Sequence, residues 1–266
     1  MTLRQQLLTR NYCYTCAGVI KPKGVMVHST GSNNPRVSRY VPGDDEIGRN
    51  TGGNHWNQTN AEWKAKFGKV LNVCVHAFIG KFADGKVGTV QTLPWTMRGW
   101  HCGGAGNNTH IGFEICEDGL TDPAYFKAVY QEAVELTAML CKTYSLDPLA
   151  DGVVICHQEG CKRGIASNHA DVLHWFPKHG KTMNDFRAEV ARTMKGEDDG
   201  MLSYEQWKAY MDQYRKELAA QPVPDWAKQT GEWDMAQKAG IIADKSRPQD
   251  LITRAEAAAM VTRAVK

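Results

Sequence analysis

Residues 122–144, DPAYFKAVYQEAVELTAMLCKTY, constrain the fold more than any other stretch of the chain. Phe126, Val129, Tyr130, Ala133, Leu136 and Leu140 recur at helical spacing, with Thr121 available as an N-cap and Pro123 in the first turn. A helix of this length with one apolar face must lay that face on a partner. The flanking segments supply one. Gly24–Thr30 (GVMVHST) is a short β-rich run that ends in polar residues, and Asn72–Gly80 (NVCVHAFIG) alternates and is β-branched. Ile111–Cys116 (IGFEIC) and Gly152–Cys156 (GVVIC) read as further short strands. The Asp84-Gly85 turn signal predicts that Gly88–Leu93 pairs with 72–80 as a hairpin. A second helix is predicted over Thr182–Met194. Strands, a long helix, a strand and another helix predict an α/β domain, a mixed β-sheet flanked by helices.

Between Gly31 and Phe67 lies a polar, Gly- and Asn-rich stretch with little periodicity. It is predicted to be a long loop with a short helix near Ala61–Lys66, and long loops in compact domains are often functional. At Lys195–Gly200 (KGEDDG) the composition turns charged and glycine-flanked. This divides the chain into a first domain, 1–195, a linker, 196–202, and a small α-helical domain, 203–266. The last has helical patterns over Ser203–Ala220 (with Ser203 as cap), Asp225–Ala239 and Thr253–Val265, with a break at Pro222-Val-Pro224.

Several function classes are disfavoured by composition. The 266 residues are 42% apolar and 23% charged, an ordinary soluble balance. No apolar run approaches the roughly 18 residues that span a bilayer. Met1–Arg10 lacks the apolar core and cleavage site of a signal peptide, so the expected site of synthesis is the cytoplasm, with any export by another route. A net charge of +3 without a dense basic stripe does not suggest nucleic acid. Of the eight cysteines, Cys74, Cys116, Cys141 and Cys156 sit inside apolar runs and read as small core residues. Cys13 and Cys16 form a C-x-x-C pair, but no second pair with zinc-ribbon spacing follows.

The nine histidines carry the chemical interest. A catalytic zinc site needs three ligands from His, Cys and carboxylate, with one position left open. His28 closes a strand and His157 directly follows another, so both would be rigidly aimed. Ser167–Phe176 (SNHADVLHWF) places His169, Asp171 and His174 close together. Two strand-end histidines and one loop ligand make a plausible centre. A lone histidine is more often a hydrogen-bonded core or surface residue than a ligand, and the sequence separations alone do not decide the matter.

At these residues the chain resembles the type 2 N-acetylmuramoyl-L-alanine amidases, the zinc amidase family that includes bacteriophage endolysins and peptidoglycan recognition proteins. GVMVHST matches the family's strand ending in V-H-x-T. His76-Ala-Phe-Ile79, Asp84-Gly85-Lys-Val87 and Val90-Gln91-Thr-Leu-Pro94 match its strand pair. Trp100-His101-Cys102-Gly103 matches W-H-x-G, and Asn107 through Ile111-Gly112-Phe113-Glu114 matches N-x-x-x-I-G-x-E. The order and spacing agree over residues from about 20 to 177.

The resemblance implies a peptidoglycan recognition protein-like fold, a bound Zn2+ and a peptidoglycan substrate. It implies hydrolysis of the amide between the N-acetylmuramic acid lactyl group and L-alanine by a zinc-activated water. The ligands it assigns are His28, His157 and Asp171. The gap from His157 to Asp171 is longer than usual and Val172 stands where proline is common, so Cys161 and His169 remain alternative third ligands. Glu114 takes the general-base position, and its place between Phe113 and Ile115 turns it to the opposite face from them. His169 stands where the family often has a lysine and is expected to stabilise the oxyanion. His76, Trp95, Trp100, His101 and Asn107 are expected at the substrate cleft.

Residues 225–266 resemble a single S-layer homology unit, carried by Asp225-Trp226-Ala227, Ala236-Gln-Lys-Ala239-Gly240-Ile241 and Ile252-Thr253-Arg254-Ala255-Glu256. This implies a wall-polymer contact at Arg254. The alternative is a helical docking or homo-oligomerisation unit. The absent leader favours a phage or prophage endolysin released through a holin over an exported autolysin. A non-catalytic peptidoglycan-binding protein is the competing reading, and the complete ligand set together with Glu114 favours the hydrolase. No H-E-x-x-H supports an unrelated zinc peptidase.

Overall fold

The computed structural model describes residues 1–16, 18–196, 204–242 and 254–264. The chain divides into two compact units, Met1–Asp199 and Gly200–Lys266.

The first unit is built on β1 (Leu3–Gln5), β2 (Gly24–Ser29), β3 (Ala77–Lys81), β4 (Val87–Gln91), β5 (His110–Ile115) and β6 (Val154–Cys156). They form one mixed sheet in the order β1-β4-β3-β5-β2-β6. The predicted hairpin is present as antiparallel β3 and β4. The remaining neighbours are parallel. The hairpin strand begins at Ala77 rather than Asn72, because Cys74 is instead bridged to Trp100. The polar N-terminus contributes β1, which was not predicted. Its three residues pair along the edge of β4, and Leu8 behind them is fully buried.

Among the described residues of this unit, the α-helices that accompany the sheet are α1 (Tyr12–Thr15), α2 (Asn60–Phe67), α3 (Pro123–Tyr144), α4 (His157–Lys162) and α5 (Met183–Lys195). The long helix α3 is capped by Asp122, whose side chain accepts from the amides of Ala124 and Tyr125. This corrects the expected Thr121 cap. With Asp122 as cap, Pro123 falls at the first helical position, where a missing N–H costs nothing. The predicted apolar stripe of α3 packs on Val25, Val27, Ile111, Phe113 and Ile115 of β2 and β5.

Trp175 and Phe176, just beyond Asp171, are fully buried in the same cluster. The Trp175 ring lies edge-on to Phe126, with centroids 5.5 Å apart. Trp175→Ala is therefore expected to cost about 3–5 kcal/mol of stability through the cavity it leaves. A urea unfolding midpoint unchanged from wild type would refute this.

The opposite face of the hairpin is covered from the predicted loop. Val37, Tyr40, Val41 and Ile47 are buried there. The Tyr40 ring stacks on Phe78 at 4.4 Å. The stretch 31–67 is thus pinned by its few apolar residues, and most of its polar residues remain at the surface.

The second unit contains α6 (Tyr204–Ala219), α7 (Asp225–Gln229), α8 (Glu232–Lys238) and α9 (Arg254–Ala264). The helix predicted over 225–239 is two helices, because Gly231 takes a left-handed φ of 69° between them. Residues 197–202 of the expected linker, the Ser203 cap, Ile252-Thr253 and the Arg254 side chain lie outside the described residues.

Candidate metal centre and catalytic cleft

Parallel pairing decides where the site residues meet. In the register of β2 with β5, His28 stands beside Glu114. In the register of β2 with β6, Val27 stands beside Cys156, so His157 follows at the level of His28. One edge of the sheet therefore presents all three side chains from adjacent strands. His157 is also the first residue of α4, whose start is fixed by Glu159. Its carboxylate accepts from the Cys156 amide at 3.1 Å and is paired with Arg187.

Asp171 reaches this edge from the loop beyond α4. Its Oδ2 is 3.4 Å from His28 Nδ1 and 3.2 Å from His157 Nδ1, and the two Nδ1 atoms are 3.0 Å apart. Among the described residues, these three are the group placed to hold a metal ion. Cys161 does not belong to it, and neither does His169.

Hydrogen bonding fixes the tautomers. His101 Nε2 faces the carbonyl of His110 at 3.1 Å, and a carbonyl can only accept. In the neutral ring His101 Nδ1 is then the acceptor, so His28 Nε2, 2.9 Å away, is the donor. Likewise the Ser167 hydroxyl donates to the Cys102 carbonyl and accepts from His157 Nε2 at 3.2 Å. Both Nδ1 atoms are left as lone pairs facing each other and an Asp171 oxygen. Three acceptors converging on one point fit a cation, and two imidazoles with a carboxylate are a zinc donor set. His101 can approach this closely because Gly112 lies beneath it. A Cβ there would sit 2.4 Å from the ring.

The protonation states agree with this reading. Burial pushes His28 below the ordinary imidazole value, despite the Asp171 carboxylate that faces it. Burial works to raise Asp171, but the facing imidazoles of His157 and His28 outweigh it and hold the carboxyl well below the usual range. A neutral imidazole and an ionised carboxylate are the forms that bind metal.

Glu114 is the opposite case. Burial, followed by the charges of Asp171 and Glu117, raises it well above the usual carboxylate range. Its Oε2 is buried and has no hydrogen-bond partner. A buried carboxyl with a raised proton affinity and an oxygen to spare suits proton transfer. Glu114, His157, His169 and Asp171 line one cleft of about 430 Å³, walled by Trp100 and His101. Within it the His169 ring is 4.6 Å from that of His157, and its Nδ1 is 3.1 Å from Ser167 Oγ. The peptide bond joining Asp171 to Val172 is cis.

The expected substrate residues divide. Trp100 is exposed on the cleft wall. His101 lines the cleft and also orients His28. Asn107 touches the cleft, but it is buried and its Oδ1 accepts from the amides of His101 and Cys102. Two residues correct the expectation. Trp95 packs against the α3 side of the core and does not line the cleft. His76 is fully buried beneath it. The Gly112 amide donates to His76 Nδ1 at 3.1 Å, and His76 Nε2 donates to the Met97 carbonyl at 2.8 Å. Both ring nitrogens are thus consumed by backbone. Sequence reasoning also gave no role to Ser167, since a hydroxyl in a polar loop carries no signal of its own.

His76 leads to a stability prediction. Burial lowers it from 6.5 to about 4, so the unfolded chain binds more protons between those values. Stability is complete above pH 6.5 and is lost as pH falls toward 4. The loss due to this ring is on the order of 3 kcal/mol. Urea unfolding of His76→Gln should depend less on pH across that interval than wild type, and parallel profiles would contradict the assignment.

A family model described as N-acetylmuramoyl-L-alanine amidase matches residues 19–174. The chain belongs to this family. The matched segment contains the candidate centre, from His28 to Asp171. No curated protein matches the chain significantly. Among solved structures, Staphylococcus aureus hydrolase AmiA in complex with its ligand is 21% identical, with a TM-score of 0.51 over 75% of this chain and 87% of that one. It shares the amidase fold. PlyL is 22% identical, covering 71% of this chain and 97% of its own, with a TM-score of 0.47. A mutant endolysin from Bacillus subtilis is 19% identical over 71% of this chain and 99% of its own, at 0.43.

Proposed function

We propose that this amidase is a zinc-dependent endolysin of phage or prophage origin. Its substrate is the amide between the lactyl group of N-acetylmuramic acid and L-alanine in bacterial peptidoglycan. The observation that carries the reading is the convergence of His28 Nδ1, His157 Nδ1 and Asp171 Oδ2, with the buried Glu114 carboxyl in the same cleft. Those three atoms would hold the ion. When bound, zinc supplies Lewis acidity, making a carbonyl more electrophilic and a water molecule more acidic.

The remaining work belongs to the chain. Glu114 takes a proton from the attacking water at its free oxygen and returns it to the amine that leaves. With the Ser167 hydrogen given to the Cys102 carbonyl, His169 donates to Ser167 through Nδ1, and in its imidazolium form Nε2 also donates toward the oxygen of the attacked carbonyl. Trp100 and His101 wall the cleft and limit the water that reaches it. The unit from 200 onward is proposed to contact a secondary wall polymer, and deletion of 201–266 is expected to reduce pelleting with walls. Undiminished pelleting would leave docking or self-association as its role.

Digestion of purified walls tests the proposal. Chelation should stop lysis and zinc should restore it, with free lactyl groups and new L-alanine amino termini as products. New reducing sugar ends would overturn it.

A further inference from the structure

The stretch 31–67 takes little part in the cleft, yet it builds two cavities that meet at Arg39. One, of about 260 Å³, is polar and includes Arg36, Arg39, Arg49 and Asn50. The other, of about 300 Å³, is aromatic and includes Trp56, Trp63 and Phe67. Arg39 and Asn54 line both.

Three observations ask for a ligand. The first is charge. Arg49 is held by Asp45, with its Nε 2.9 Å from a carboxylate oxygen. Arg36 and Arg39 are exposed, and among the described residues neither has a carboxylate partner. The second is Asn50. Its Nδ2 is shared among the carbonyls of Ser38 and Arg39 and the Asn54 side chain, at 2.8, 3.0 and 3.0 Å. This fixes the amide orientation and leaves Oδ1 buried without a donor.

The third is α2. It buries no residue and is held by a Thr59–Glu62 capping box and a left-handed Gly68. Local capping thus replaces packing in a helix that carries Trp63 and Phe67, with ring centroids 4.3 Å apart and Phe67 40% exposed.

We propose that the two cavities are one binding site for an acidic saccharide, a sugar unit carrying a carboxylate or phosphate, separate from the hydrolytic cleft. The aromatic pair offers a face to the C–H side of a sugar ring. The free Asn50 oxygen accepts a sugar hydroxyl, and the Arg36 and Arg39 guanidiniums take the oxyanion. A peptide carboxylate would engage the arginines and leave the ring pair idle. Nucleic acid is disfavoured by the acidic run Asp44-Asp45-Glu46 beside the arginines. Arg36 is bridged to Lys81 at the end of β3, the strand next to Glu114's β5. The site therefore stands at the same sheet edge as the cleft, two strand spacings (about 10 Å) along from β2. It does not depend on the reaction assigned above, and binding alone tests it.

Calorimetry on the full chain would use tetraglucuronate and glucose 6-phosphate as acidic probes. Neutral tetra-N-acetylglucosamine and the tripeptide Ala-Glu-Lys would serve as controls. At least one acidic sugar should bind, and the tighter of the two identifies the anion. The neutral sugar should bind about tenfold more weakly. Arg39→Ala and Trp63→Ala should each weaken the acidic sugar by about tenfold, with unchanged thermal unfolding to show that both variants fold. Absence of binding by both acidic sugars would overturn the proposal. So would equal binding by the Trp63→Ala variant, or Arg39-dependent binding of the tripeptide alone.

Discussion

Alanine at His157 is expected to abolish metal uptake and, with it, amide hydrolysis. The two strand-end histidines are not redundant, because His28 Nδ1 and Asp171 Oδ2 alone leave a bivalent site of lower affinity. The lost Lewis acidity corresponds to about 4 kcal/mol, on the order of a thousandfold in turnover. Elemental analysis should find about one zinc per wild-type chain and none in the variant. Ser167→Ala, which removes the acceptor that orients His157, should weaken zinc by about 10- to 100-fold and leave the ligands in place. If His157→Ala retained stoichiometric zinc, the ligand set would be wrong, and Cys161 would be the first residue to test in its place. The fold should survive, since the buried cluster on the α3 side does not include the ligands.

Glu114→Gln should separate metal binding from catalysis. Glutamine keeps the shape of the side chain but can neither take a proton from water nor return one to an amine. Turnover is expected to fall by about 10²- to 10⁴-fold, with zinc content unchanged. The substitution also removes a buried carboxyl crowded by the charges of Asp171 and Glu117, so the folded state should be no less stable than wild type. Rate and unfolding midpoint should therefore move independently. A variant that keeps wild-type turnover would place the proton carrier elsewhere in the cleft, with His169 the nearest candidate.

The parts of the centre legible in the sequence are those fixed by strand geometry. His28 and His157 end or follow apolar runs, and parallel pairing brings those ends together. Glu114 follows from alternation: Phe113 and Ile115 face the α3 side of the core, so the residue between them faces the other way. Asp171 could not be read this way. It sits in a loop, and its position depends on Trp175 and Phe176 anchoring the chain behind it. His76 was misassigned because a histidine before a strand looks the same whether it faces the cleft or the backbone below. What consumes its nitrogens, Met97 and Gly112, is distant in sequence. β1 was overlooked for a different reason. A triplet of one apolar and two polar residues at a sheet edge has no periodicity to read, and only the partner strand makes it a strand.

That edge has a consequence for how the protein behaves in quantity. The sheet is bordered by β1 on one side and β6 on the other, each three residues long. The longer strands, whose open backbone groups could template a neighbouring molecule, are all interior. A border this short offers few unpaired amides and carbonyls to a second sheet. Concentrated solutions should therefore remain free of fibrils even though the interior strands are largely apolar.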